Sequence, residues 1–124
     1  MNSANPATRD IGVLIFEDFQ LLDAAGPITV FEMPVRALNP PAYRLTVFSL
    51  PGGPVRSSSG VSMHSESLPT GLTLDTLVVS GGEGTRAAMR DDAMMSAIRD
   101  LSVRTRRTTS VCSGAFLLAA AGLL

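Results

Sequence analysis

The first strongly apolar stretch, Ile11-Gly12-Val13-Leu14-Ile15-Phe16, is hydrophobic at nearly every position. Such continuous runs belong to strands buried on both faces of a sheet, so this stretch predicts a central first strand behind a mobile leader over residues 1–10. A loop over residues 17–20 follows. Ala24, Pro27, Ile28, Phe31 and Val35 then recur at helical spacing. Pro27 fits only near the start of that helix, and Pro34, Pro40 and Pro41 predict its end. Residues 44–49 read as a second strand, and Pro51-Gly52-Gly53-Pro54 as a turn. Val55-Arg56 and Val61-Ser62-Met63 flank Ser57-Ser58-Ser59-Gly60, which predicts a small β-hairpin appended to the main sheet.

Residues 76–79 form the next predicted strand and run into Ser80-Gly81-Gly82-Glu83-Gly84, where glycines let the backbone turn sharply against a ligand. A helical turn over 85–90 follows. Asp91 or Asp92 can then cap a helix with Met94, Ile98 and Leu101 on one face. The β-branched run 108–111 predicts a strand, and residues 113–121 a last helix, with Gly122 as a left-handed cap and Leu123 packing back. Alternating strands and helices imply a parallel sheet covered on both faces.

Composition narrows the function classes. The chain has 124 residues, 45% of them hydrophobic, enough for one core and one domain at most. Ten Lys+Arg balance eleven Asp+Glu for a formal charge of −1, so no global positive field recruits nucleic acid or an anionic membrane. DNA contact would need another domain. A single cysteine excludes an internal disulfide and suits a reducing compartment, and the polar start lacks the pattern of a secretory signal, which makes the cytoplasm the default. No apolar run approaches the ~18 residues of a membrane span. Neither a metal nor an organic cofactor is expected.

The cysteine carries the candidate chemistry. Cys112 stands between the 108–111 run and the last helix, so a strand, a sharp turn and a helix lift it out of the sheet. The helix N-terminus favours a thiolate there. A free cysteine is otherwise most often a small core residue. Ser113 and Gly114 are small, as a tight turn presenting backbone N–H groups requires, although Ser110 stands where the full glycine pattern would have glycine. Arg99, Arg104, Arg106 and Arg107 could mark a phosphate site, but cations near a helix C-terminus read first as a solvated face. His64 falls in the hairpin, with a surface role.

Three motifs, Ile11-Gly12-Val13-Leu14-Ile15-Phe16 through Leu22-Asp23-Ala24-Ala25-Gly26-Pro27, Ser80-Gly81-Gly82-Glu83-Gly84-Thr85-Arg86, and Val111-Cys112-Ser113-Gly114-Ala115-Phe116-Leu117-Leu118, resemble the ThiJ/PfpI superfamily in wording, order and spacing. The resemblance covers 11–124 and implies a flavodoxin-like sandwich related to class I glutamine amidotransferases. The wording is most similar to the amino-terminal domains of AraC-type (GlxA-like) transcriptional regulators, and next to isonitrile hydratases. It implies that an acidic residue, here Asp23, meets Cys112, and that Gly82 and Ser113 supply backbone N–H groups to an oxyanion or polar ligand, with Gly81 and Glu83 in the same loop. An ionised Asp23 would oppose a thiolate, whereas a protonated carboxyl donating to sulfur would stabilise it, so the two would titrate together. Asp23 as a helix cap is the alternative.

Family members usually continue with a further strand and, in many, a histidine near the cysteine, whereas this chain stops at Leu124. A truncated domain is therefore expected, with the C-terminal part and any DNA-binding helix-turn-helix missing. The expected function is sensing of a small polar metabolite within a regulator that is a homodimer at full length. The alternatives are a cysteine-dependent isonitrile hydratase forming N-substituted formamides and a redox-sensing thiol. A chain ending there should leave Val13, Ile15, Val78, Val79 and Val111 incompletely covered, and so fold poorly or self-associate.

Overall fold

The computed structural model describes residues 8–37 and 42–124. The apolar run becomes β1 (Arg9–Leu14) and is followed by α1 (Leu21–Ala37), β2 (Tyr43–Ser49), β3 (Gly53–Arg56), β4 (Ser62–Ser67) and β5 (Leu74–Val79). Then come α2 (Thr85–Met89), α3 (Asp92–Val103), β6 (Thr105–Ser110) and α4 (Gly114–Ala120). Arg9 and Asp10, expected in the leader, are strand residues paired with Tyr43 and Arg44. Residues 1–7 of that leader, and Pro40 and Pro41, lie outside the described residues.

One six-stranded sheet runs in the order β3-β4-β2-β1-β5-β6. β1, β2, β5 and β6 are parallel neighbours, β4 joins β2 in parallel, and β3 pairs β4 antiparallel as the appended hairpin. The chain steps from β1 to β2 toward one edge and from β5 to β6 toward the other. Right-handed crossovers in opposite directions place α1 and α3 on opposite faces. α1 packs on β1 and β2, while α2, α3 and α4 pack on one another and α3 and α4 reach β6. Val13, Ile15, Val78 and Val79 are fully or almost fully buried, and Val111 is half-buried. The expected uncovering of these five residues therefore holds only in part for Val111, because the two helical layers close over the central strands.

Helix α1 does not stop at Pro34, as the sequence predicted, but continues to Ala37. A proline removes one i→i−4 donor. Packing outweighs that loss: α1 lies on β1 and β2, and Phe31 meets Tyr43 edge to face with centroids 5.0 Å apart. At α3 the cap is Asp91, whose carboxylate accepts from Ala93 N and Met94 N. Met94, Met95, Ile98 and Leu101 form its buried face. Gly122 takes φ 84. Its N–H reaches Ala119 O and that of Leu123 reaches Leu118 O, closing α4 with a Schellman turn. The Leu123 side chain remains 38% exposed.

The arginines divide between the end of α3, where Arg99 is exposed and Arg104 is the C-cap, and β6. Arg104 pairs with Asp100 and donates to Leu72 O, and Arg99 donates to Ala121 O. Arg106 and Arg107 lie in β6, where Arg106 Nε donates to Asp75 Oδ2 at 2.8 Å. That hydrogen bond, a second from Thr76 and the nearby Arg106 and Arg9 charges hold the Asp75 carboxyl at about 2.

Candidate functional site

The direction of connection reverses at β1, so its carboxyl end and that of β5 flank the crevice where open α/β sheets present ligand sites. Two loops meet there. From the β1 side, Gln20 N donates to Gly81 O at 2.8 Å, and from the β5 side Gly84 N donates to Asp18 O at 2.9 Å. Ser80, fully buried, fixes the start of its loop by giving its hydroxyl to Leu14 O at 2.7 Å. Gly82 sits at φ 124, and a Cβ there would lie 2.4 Å from Gln20 N, so no other residue fits this approach.

Beside this loop β6 ends and the chain turns into α4. Val111 N donates to Val79 O at 3.0 Å and Gly114 N to Val111 O at 3.0 Å, which tightens the turn between them. Cys112 therefore takes φ 54. Its thiol is exposed. Non-glycine residues in this region are uncommon and cluster at functional sites, where surrounding structure holds the strain. The turn expected between a strand and the last helix is present between β6 and α4, and Cys112 lies exposed on it instead of in the core.

The strain gives a direct expectation. Cys112→Gly should be about 0.5–1 kcal/mol more stable than Cys112→Ala, because the ~1–2 kcal/mol left-handed penalty of a Cβ exceeds the ~0.4–1 kcal/mol entropic cost of glycine. Urea melts of the two variants measure this. Equal stabilities, or a more stable alanine variant, would mean that the elbow is not left-handed.

The other candidate residues divide. Asp23, buried at the third position of α1, accepts from Gly81 N through Oδ2 at 3.1 Å, so its carboxylate ties helix to loop instead of capping the helix. The Gly82 N–H, expected to face a ligand, donates to Ser113 Oγ at 2.9 Å because the residue after the elbow places its hydroxyl against the loop. Glu83 is exposed. Thr85, which sequence reasoning did not single out, is buried with Oγ1 2.9 Å from Ser113 Oγ. Its only signal was its place at the first helical position after the glycines. Asp18, at φ 62, was also missed, although aspartate tolerates that region.

His64 lies on β4, four strand steps from β6, roughly 19 Å at about 4.8 Å per step. Among the described residues no three His, Cys, Asp or Glu side chains converge to hold a metal. No described helix is long and apolar enough to cross a membrane.

A mixed, mainly parallel six-stranded sheet in the order β3-β4-β2-β1-β5-β6, with helices on both faces, defines a flavodoxin-like α/β domain. The chain belongs to the DJ-1/PfpI family, whose profile matches residues 9–124. It is 38% identical over 120 residues to the HTH-type transcriptional regulator GlxA of Rhizobium meliloti, covering 92% of this chain and 36% of that protein. It is 34% identical over 118 residues to the isonitrile hydratase of Pseudomonas putida, covering 92% of this chain and 48% of the hydratase. A ThiJ/PfpI family crystal structure from Pseudomonas syringae superposes with a TM-score of 0.81 at 28% identity, over 95% of this chain and 48% of that one. The chain thus spans about half of the hydratase and about a third of the regulator.

Proposed function

We propose that this chain is the ligand-sensing domain of an AraC-type transcriptional regulator, holding a small polar metabolite at the elbow while DNA is contacted by another domain. The observation that carries the reading is the set of polar groups at the elbow. Gly82 N–H, Ser113 Oγ and Thr85 Oγ1 are joined at the residue that follows the exposed Cys112, while the one histidine of the chain stands on β4. This arrangement suits reversible binding of a polar group more than proton shuttling. The likeness to a transcriptional regulator supports it.

Thermal melts against pools of polar metabolites test the proposal. A true ligand at a hundredfold excess over its Kd should stabilise the protein by about 2.7 kcal/mol, and Ser113→Ala or Asp23→Ala should remove the shift. If no pool shifts the melt, or if the shift survives both substitutions, the sensing reading fails.

The exposed, left-handed cysteine supports a second reading, hydration of isonitriles. The Cys112 thiol would add to the terminal isonitrile carbon, which takes both the sulfur and the proton while the nitrogen keeps a C=N double bond. Water would then add to the resulting thioimidate, and expulsion of the thiol would leave an N-substituted formamide, with Asp23 moving protons. Formamide production that vanishes in Cys112→Ala would replace the sensing reading with this one.

A further inference from the structure

Three arginines surround one carboxylate at the end of the sheet remote from Cys112. Arg9 opens β1, Asp75 is the second residue of β5, and Arg106 and Arg107 are the second and third of β6. Six-residue strands at about 3.3 Å per residue separate this end from the elbow by roughly 20 Å. Only Arg106 makes a short bond to Asp75, at 2.8 Å, while Arg9 Nε and Arg107 Nη2 stand at 3.9 Å. That distance exceeds hydrogen-bond length, so Asp75 attracts these two groups without occupying their donors. The Arg9 and Arg107 side chains are about half exposed.

The charges do not balance. Three guanidiniums against one carboxylate leave two positive charges over, and the adjacent Asp10 is matched by Arg44 at 2.6 Å. Two of the three arginines border an open cleft of about 580 Å3, whose wall includes Arg9, Asp10, Thr73, Asp75 and Arg106, while Arg107 lies outside it. Guanidinium groups bind planar or tetrahedral oxyanions through paired N–H donors. A neutral fastening of β1, β5 and β6 would need one arginine, not three. We propose that this cleft binds a small oxyanion, phosphate or carboxylate, chiefly through the donors of Arg9, with the Arg106 and Arg107 charges beside it, and that Asp75 holds the guanidiniums in place in its absence.

Calorimetric titration of the full chain at constant ionic strength tests this, with inorganic phosphate as one probe and acetate as the other, chloride being the balancing salt. Saturable binding of either probe is expected, and the stronger of the two assigns the anion class. Arg9→Gln should weaken it about tenfold, because a guanidinium that Asp75 does not occupy is lost. Asp75→Asn should instead tighten it about tenfold, since the competing negative charge is gone. The opposite signs separate an anion site from a structural ion cluster. The proposal falls if neither probe saturates, if Arg9→Gln binds like the parent, or if Asp75→Asn folds and binds more weakly.

Discussion

Alanine in place of Gly84 is expected to destabilise the protein by about 4 kcal/mol, in the range reserved for severe backbone or core lesions. Gly84 has an ordinary φ of −74, so the cost is not torsional. A Cβ would lie 2.0 Å from Glu17 O and 3.1 Å from Glu17 C, both backbone atoms. The neighbouring loop cannot retreat freely, because Gly84 N–H is bonded to Asp18 O at 2.9 Å, on the same side as the clash. Relief requires parting the two loops that build the crevice. Gly26→Ala is the matched control: it lies inside α1 with open space where its Cβ would stand. There the change should stabilise by about 0.5–1 kcal/mol through helix propensity and a less free unfolded chain. Urea melts should move in opposite directions for the two variants. A Gly84→Ala protein as stable as the parent would mean that the loops do not meet as described.

Leu117→Ala is expected to cost about 3 kcal/mol, and Phe116→Ala less than about 0.5 kcal/mol, although the two residues are adjacent and phenylalanine is the larger. Leu117 is wholly buried on α4 and belongs to the core. Phe116 is 61% exposed. Truncating Leu117 leaves a cavity among packed neighbours, whereas truncating Phe116 returns to water a group already mostly in it. The loss at Leu117 should also loosen the elbow, since α4 follows directly from Cys112. Faster alkylation of Cys112 in Leu117→Ala than in Phe116→Ala would report that coupling. A greater loss of stability in Phe116→Ala would reverse the assignment of the buried face.

Much of the fold was legible because the central strands are apolar on both sides and separated by strong turn signals. The 11–16 run, the Pro51-Gly52-Gly53-Pro54 turn, the hairpin and the Met94, Ile98 and Leu101 stripe all read through local chemistry. Boundaries failed where tertiary contacts overrule local preference. Arg9 and Asp10 are polar, yet ladder bonds to β2 and ion pairs at the strand ends make them strand. Pro34 should have ended α1, but packing against β1 and β2 carries the helix past it.

The site divides along the same line. Sequence alone determined that Cys112 lies between a strand and a helix and that a glycine loop precedes it, because both signals are local and depend on residue type. Only the tertiary structure decided how these polar groups are joined: Gly81 to Asp23, Gly82 to Ser113, Ser113 to Thr85, and Arg106 to Asp75. Each joins residues between 28 and 58 positions apart in the chain. No local pattern specifies such a bond, because it depends on which loop the sheet order brings opposite which, and that order is set by burial of the whole core.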